Sequence, residues 1–188
     1  MKLENSFEVP GPPEQAWALL MDVPRVIPCM PGAELNEIVD ETNWKATMLV
    51  KLGPISLTFA TDVEREEVDE TARRVRLRAK ARELRGRGTG QATIESSLVA
   101  VDGGTRVDIV TDLSLAGAVA QYGRGIVEDV SSQLVRRFAD CLEAQLVAAP
   151  AEAEAAVANS AEPVRGLSLG FPALGRSIAR FLGRLFRR

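Results

Sequence analysis

Apolar residues recur at nearly every second position from Leu3 to Val9 in LENSFEV, and PGPP follows at once. A period of two puts one set of side chains on one face of a strand, and the proline-rich run ends it. Glu14 to Met21 (EQAWALLM) changes to helical spacing behind Pro12 and Pro13. Proline suits a first helical turn, where the missing N–H has no intrahelical partner. A second short helical turn is expected through Val23–Cys29, bounded by Pro24 and Pro28 and stopped by Pro31-Gly32.

After Gly32 the period is two again. ELNEIV, WKATMLVKL, PISLTFATDVEREEV, RRVRLRAKARE, GQATIESSLVAV and TRVDIVTDLSL each read as a strand bounded by Gly, Asp, Asn or Pro. Trp44, Ala46, Met48, Val50 and Leu52 share a face of one strand, and Ile55, Leu57, Phe59, Thr61 and Val63 a face of the next. Val75, Leu77, Ala79 and Ala81 repeat the pattern, while Arg74, Arg76, Arg78, Lys80 and Arg82 fill the other side. This predicts an antiparallel sheet with one dry and one wet face. VDGGT, residues 101–105, supplies a hairpin turn, and Gly86, Gly88 and Gly90 mark a bend that curls the sheet into a half barrel.

From about Ala120 to Leu146 the spacing is helical, with Ile126, Val130, Leu134, Phe138 and Cys141 forming one apolar stripe that suits the dry face of the sheet. The predicted class is therefore α+β: a curved antiparallel sheet wrapped around a long C-terminal helix, with two short helices after the first strand. Residues 1–146 are expected to form this domain. Residues 147–164, rich in Ala and Glu with two prolines, read as a flexible linker, and residues 165–188 as a basic amphipathic helix.

In that last segment Phe171, Leu174, Ile178, Phe181, Leu182, Leu185 and Phe186 fall on one side of a helical wheel at about 100° per residue. Arg176, Arg180, Arg184 and Arg187 fall opposite, and Arg188 ends the chain. The arginine face recurs along the whole length, so the helix is expected to lie in the plane of an anionic membrane surface rather than to span it. Docking on a partner protein and folding back over the domain are the competing uses.

Charge sharpens this division. The chain carries a formal −3, yet residues 1–146 hold more acid than base and everything after Glu162 holds arginine and no acid. The body is expected to avoid nucleic acid, and the tail to seek anionic surfaces. MKLENSFEVP has no apolar export core and no run reaches the roughly 18–20 apolar residues of a spanning helix. The expected location is cytoplasmic, peripheral on the inner face of the cell membrane. Cys29 and Cys141, without CxxC or metal spacing, read as buried thiols in a reducing compartment. The chain has no histidine, which excludes a Ser-His-Asp or Cys-His site and any histidine-bound metal within it.

Several segments, VPGPPEQAW (9–17), PCMPGAE (28–34), KLGPISLTF (51–59), GQAT (90–93) and above all GGTRV followed by DLSLAGAVAQYGRGIVEDVSSQLVRRFADCLE (103–143), carry a family likeness. Residues 1–146 resemble the carbon monoxide dehydrogenase CoxG family, a branch of the START-like (SRPBCC) helix-grip superfamily. The resemblance implies a cavity between sheet and closing helix that holds an apolar small molecule. It further implies service to the molybdenum-containing carbon monoxide dehydrogenase as partner, membrane attachment, and handling of a respiratory quinone such as menaquinone. No covalent cofactor and no metal are expected.

The expected lining is Trp44, Met48, Phe59, Leu77, Ile94, Leu113, Ile126, Val130, Leu134 and Phe138. Ile27, Cys29 and Met30 are expected at the cavity mouth, on a lid whose path the prolines fix. Gln121 and Tyr122 are candidates to donate hydrogen bonds to quinone carbonyls, because buried polar tips require partners. Gly123 and Gly125, costly inside a helix, suggest close approach of something to the backbone there. Glu66-Glu67 and Asp69-Glu70 read as a solvated loop, and GRGTG lacks the lysine and helix of a phosphate loop. Two alternatives to the carrier stay open: a recruitment protein that anchors the dehydrogenase without binding a ligand, and a START-like enzyme acting on an aromatic substrate.

Overall fold

A computed structural model describes residues 1–52 and 55–160 of the chain. Strand β1, Lys2–Pro10, gives way to α1, Pro13–Met21, at an extended Pro12 whose carbonyl accepts the Gln15 N–H at 3.0 Å. Asp22 ends α1 and opens α2, Val23–Val26, its carboxylate accepting the Arg25 N–H. A 3-10 turn, Ile27–Cys29, completes the segment.

The meander then runs β2 (Ala33–Ile38), β3 (Asn43–Leu52), β4 (Ile55–Asp69), β5 (Arg74–Glu83), β6 (Gly88–Val101) and β7 (Gly104–Gly117). A 3-10 turn over Ala118–Tyr122 leads into α3, Gly123–Ser160. All pairings are antiparallel, in the order β1-β7-β6-β5-β4-β3-β2. Consequently the β3–β4 and β5–β6 connections, the end of β7 and the start of α3 share one end of the sheet with the start of β1. The β2–β3, β4–β5 and β6–β7 turns share the other end with the β1–α1 turn.

The predicted bend is a pinch between two glycines. Gly88 and Gly117 face each other across β6 and β7; a Cβ on Gly88 would lie 2.2 Å from the Ala116 carbonyl oxygen, and one on Gly117 2.8 Å from the Gly88 Cα. Both have positive φ, +147° and +81°, which only glycine adopts cheaply.

Directly opposed residues of antiparallel strands point to the same face. One face therefore carries Leu3, Asn5, Phe7 and Val9 from β1, Val107, Ile109, Thr111 and Leu113 from β7, and their partners across the sheet, through Ile94 and Leu77 and through Ala92, Ala79, Val63 and Trp44. α3 covers this face: the Phe7 ring meets the Phe138 ring edge-on at 6.1 Å, and Asn5 Nδ2 donates to Ser131 Oγ at 3.2 Å.

Three expectations change. Cys29 and Cys141 are not free thiols: they form a disulfide with Cα atoms 5.3 Å apart. The fold, not the sequence spacing, makes the bond, because the 3-10 turn holding Cys29 lies under the middle of α3, at Cys141 and Gln145. The reducing compartment inferred from free thiols loses that support. Secondly, the helix does not stop near Leu146 but continues past Pro150 through Ser160, in a run where Ala and Glu, both strong helix formers, predominate. Met1–Ala153 forms one compact unit; of the second, Glu154–Arg188, residues 154–160 are described, and they are helical. Thirdly, Glu66 and Glu67 belong to β4 rather than to a loop, where they pair with Arg78 and Arg76.

Candidate functional site

The inward stripe of α3 is not evenly covered. Ile126 is 45% exposed, Val130 and Leu134 are partly exposed, Phe138 falls to 6% and Leu142 to 1%. The stripe is thus buried tightly over Phe138–Leu146 and less so in the first turns, which meet β1 through the Asn5–Ser131 hydrogen bond. At the tight end Val9, Ala16, Leu19, Cys29, Leu98, Val107, Phe138, Leu142 and Leu146 make a dry core. The disulfide lies within it, and Gln145 Nε2 donates to the Arg25 carbonyl oxygen at 3.1 Å, tying the same helix to the α2 segment a second time.

Side-chain size explains the gradient. Beneath the later turns of α3 the sheet offers Phe7, Leu98 and Val107. Towards the other end its rows are small: Ala79 faces Ala92, and Ala46, Thr61, Ala81 and Gly90 follow one another across four strands. Small side chains on a strongly curved sheet leave space that a helix of ordinary residues does not fill. The small rows of the sheet and the least buried turns of the α3 stripe thus lie towards the same end of the molecule.

Met48, Phe59, Leu77, Ile94 and Leu113 lie on the concave face and keep partial exposure, as Ile126, Val130 and Leu134 do across from them. Five of these eight predicted residues share the concave face of the sheet and three share one stripe of α3. Trp44 and Phe138 share the same surfaces but are buried, Trp44 beneath the Arg65 guanidinium, 5.3 Å from its ring centroid, and Phe138 in the dry core. Ile27 is half-buried and Met30 packs against the dry core, while Cys29 is inside it; the segment read as a lid at the mouth braces the closed end instead. Its three prolines and its bond to α3 hold it there.

Gln121 is exposed and Tyr122 half-buried, both in the 3-10 turn before α3. The glycines after them are not points of close approach: a Cβ on Gly123 or Gly125 would meet nothing within 4 Å. Gly123 is required by its φ of +76°, which turns the chain into the helix, and nothing in the structure explains Gly125. The amphipathic stripe from Phe171 to Arg188 lies outside the described residues.

The polar groups on the concave face were not singled out from sequence. Asn5, Ser96 and Thr111 lie on the concave face by register, and Thr61 Oγ1 is buried with no hydrogen-bond partner among the described residues. An uncompensated hydroxyl is expensive inside a protein and marks a position where the fold is not optimised for stability. The available signal was alternation itself: Thr61 continues the series Ile55, Leu57, Phe59 on the inward side. At the seam between β1 and the first turns of α3 lies a polar cleft of about 410 Å³, lined by Lys2, Leu3, Glu4, Asn5, Arg124, Glu128, Ser131 and Ser132.

Glu83 closes the corner of the sheet beside Leu57, with 2% exposure. Its carboxylate accepts the Arg87 N–H at 3.0 Å and the Arg85 N–H at 2.8 Å. The Arg87 hydrogen bond above all, opposed by burial and aided by the Arg85 bond, holds its carboxyl below the ordinary 4.5. This carboxylate is committed to shaping a turn. Among the described residues no group of three or more Cys, Asp or Glu side chains is placed to hold a metal ion, and no helix is long and apolar enough to cross a membrane.

Several solved structures share this architecture. A conserved protein from Geobacillus kaustophilus matches 78% of this chain and 95% of its own at 20% identity, with a TM-score of 0.70. The ZhuI aromatase/cyclase from Streptomyces sp. R1128 matches 78% and 93% at 16% identity, TM-score 0.56. A START superfamily protein from Mycobacterium smegmatis matches 77% and 96% at 14% identity, TM-score 0.51. At such identities the likeness carries the START-like helix-grip fold and nothing finer. A search among curated proteins finds no match to the chain. The family model of the carbon monoxide dehydrogenase protein CoxG matches residues 6–147, which span β1 from Ser6, the whole meander and α3 as far as its last tightly packed turn. By that match over most of its length, the chain belongs to the carbon monoxide dehydrogenase CoxG family.

Proposed function

We propose that this protein is a non-catalytic carrier that holds a prenylated respiratory quinone, such as menaquinone, and couples a molybdenum-containing carbon monoxide dehydrogenase to the membrane quinone pool. The carrying observation is the burial gradient along α3, from 45% exposed at Ile126 to 1% at Leu142. That gradient supports an apolar hollow between sheet and helix, open at the end where α3 begins and carrying a few polar groups, which is the form of a small-molecule site. Met48, Phe59, Leu77, Ile94, Leu113, Ile126, Val130 and Leu134 would take the apolar body of the ligand. Thr61, Thr111 and Ser96 offer hydroxyls to its carbonyl oxygens. The dehydrogenase as partner follows from the family, and the basic stripe after Glu162 would keep the protein at the inner face of the cell membrane.

Organic extraction of the purified full-length protein, followed by mass spectrometry, tests this reading. A prenylated quinone in near-stoichiometric amount is expected. A ligand-free protein that also fails to take up menaquinone from vesicles, while still binding the dehydrogenase, would support the recruitment reading instead.

A further inference from the structure

The two ends of the sheet differ in charge. At the end where α3 begins, the β5–β6 turn reads Leu84-Arg85-Gly86-Arg87, the turn before α3 leads to Arg124, and the N-terminal amine and Lys2 lie alongside. These connections hold no carboxylate. At the opposite end the turns hold Asp40, Glu41, Glu70 and Asp102, and their Arg73 is paired with Glu14. Glu4 pairs with Lys2 at 2.6 Å and Glu128 with Arg124 at 2.5 Å, so the uncompensated charge lies in the β5–β6 turn, where among the described residues neither Arg85 nor Arg87 makes an ion pair.

The same turn carries Leu84, 60% exposed although it is a large apolar residue. Its backbone is fixed: the Leu84 N–H donates to the Thr58 carbonyl oxygen at 2.8 Å, and the Glu83 carboxylate clamps the backbone at Arg85 and Arg87. Beside it lies a cleft of about 330 Å³ lined by Ile55, Ser56, Thr58, Glu83, Arg85 and Arg87. Two guanidinium groups and two hydroxyls around one cleft are donors suited to phosphate oxygens. Glu83 contributes a charge at the floor, already engaged by backbone N–H groups.

We propose that this end of the body is a docking face for an anionic lipid bilayer, with Leu84 entering the headgroup layer and Arg85 and Arg87 meeting lipid phosphates beside Ser56 and Thr58. A bilayer is the favoured occupant: one exposed leucine among unpaired arginines matches an interface that is apolar below and anionic above, whereas a protein partner would need a larger apolar patch. The orientation has a consequence. The hollow of the carrier reading opens at this same end, so docking would turn it towards the bilayer and turn the acidic end away. The inference rests on the membrane side of the carrier reading and is independent of the cargo.

The test uses the full chain, with the native cysteines bonded to each other, and one added thiol bearing an environment-sensitive dye. The dye is placed by Leu84→Cys at the proposed face and by Asp102→Cys at the opposite end. With phosphatidylcholine–phosphatidylglycerol vesicles the label at position 84 is expected to shift blue and brighten, and the label at 102 to stay as in water. Adding R85Q and R87Q is expected to lower the docked-to-free ratio reported at position 84 by roughly tenfold, as befits two basic residues near an anionic surface. Equal responses at 84 and 102, an equal response at 84 to pure phosphatidylcholine, or vesicle binding with both labels still in water would overturn the proposal. The last outcome assigns attachment to the tail only and leaves the quinone extraction result untouched.

Discussion

Removing the Cys29–Cys141 bond should loosen the half of α3 that holds the molecule shut. The bond joins residues 112 apart in sequence, so in the unfolded chain it closes a loop of that length. The loop-closure relation then gives roughly 5 kcal/mol of stabilisation through restriction of the unfolded state. For a body of this size each kcal/mol moves Tm by about 2–4 °C, so the expected fall is on the order of 10–20 °C. The substitution C29A/C141A is preferable to serine, because Cys29 is 3% exposed and a hydroxyl there would be buried among Leu and Val.

Thermal unfolding of the wild type with and without a phosphine reductant, beside the double variant, separates the contributions. The reduced wild type and C29A/C141A should melt together, well below the oxidised protein, and the variant should ignore the reductant. Thiol titration of the denatured, unreduced wild type should find none. Two titratable thiols in that sample, or a reduced protein melting within about 2 °C of the oxidised one, would refute the reasoning.

Acid should weaken the β5–β6 turn. Glu83 binds its proton less readily folded than unfolded, so its contribution is fully present above the ordinary 4.5 and is lost as pH falls through its lower folded value. Denaturation between pH 3 and 7 should show a stability slope below about pH 4.5 that E83Q flattens, at the cost of lower stability at neutral pH. Thr61→Val keeps the shape and removes a buried hydroxyl without a partner. It should raise ligand-free stability by about 1 kcal/mol, read as a shift in the urea midpoint with unchanged slope, and a loss of that size would show the hydroxyl to be satisfied.

The alternation of apolar residues made the meander legible strand by strand, and the change of period at Ala120 announced the closing helix. Both signals are local, and each strand needs only its own residues to show them. What stayed hidden depends on partners. Cys29 and Cys141 show nothing of their pairing, because only the passage of α3 over the 3-10 turn brings them together. Trp44 and Met48 look alike in the sequence, both inward on β3, yet one lies buried under Arg65 and the other keeps partial exposure. Met30 read as a rim residue because its prolines suggested a lid, when they brace a closed end. Glu83, the last residue of an arginine-rich strand, gave no sign that its carboxylate would organise the next turn.

The contrast between the early turns of α3 and Phe138–Leu146 also says how the fold would admit the proposed ligand without losing its grip. A helix packed evenly along its length would have to unfold from the sheet to let a molecule in, at a cost close to the stability of the whole domain. Here the cost is concentrated at one end, in Phe138, Leu142, Leu146, the disulfide and the Gln145 contact. The sheet rows towards the other end are built of small residues, Ala79, Ala81, Ala92 and Gly90. Ile126 is 45% exposed, so opening there breaks few apolar contacts, and the polar ties of that part of the helix to β1 are the hydrogen bonds from Arg124 to the Lys2 carbonyl oxygen at 3.4 Å and from Asn5 to Ser131, the latter worth about 1 kcal/mol. That bond sits at the inner edge of the polar cleft, so a ligand arriving from the end that carries Leu84 would meet the weakest seam first.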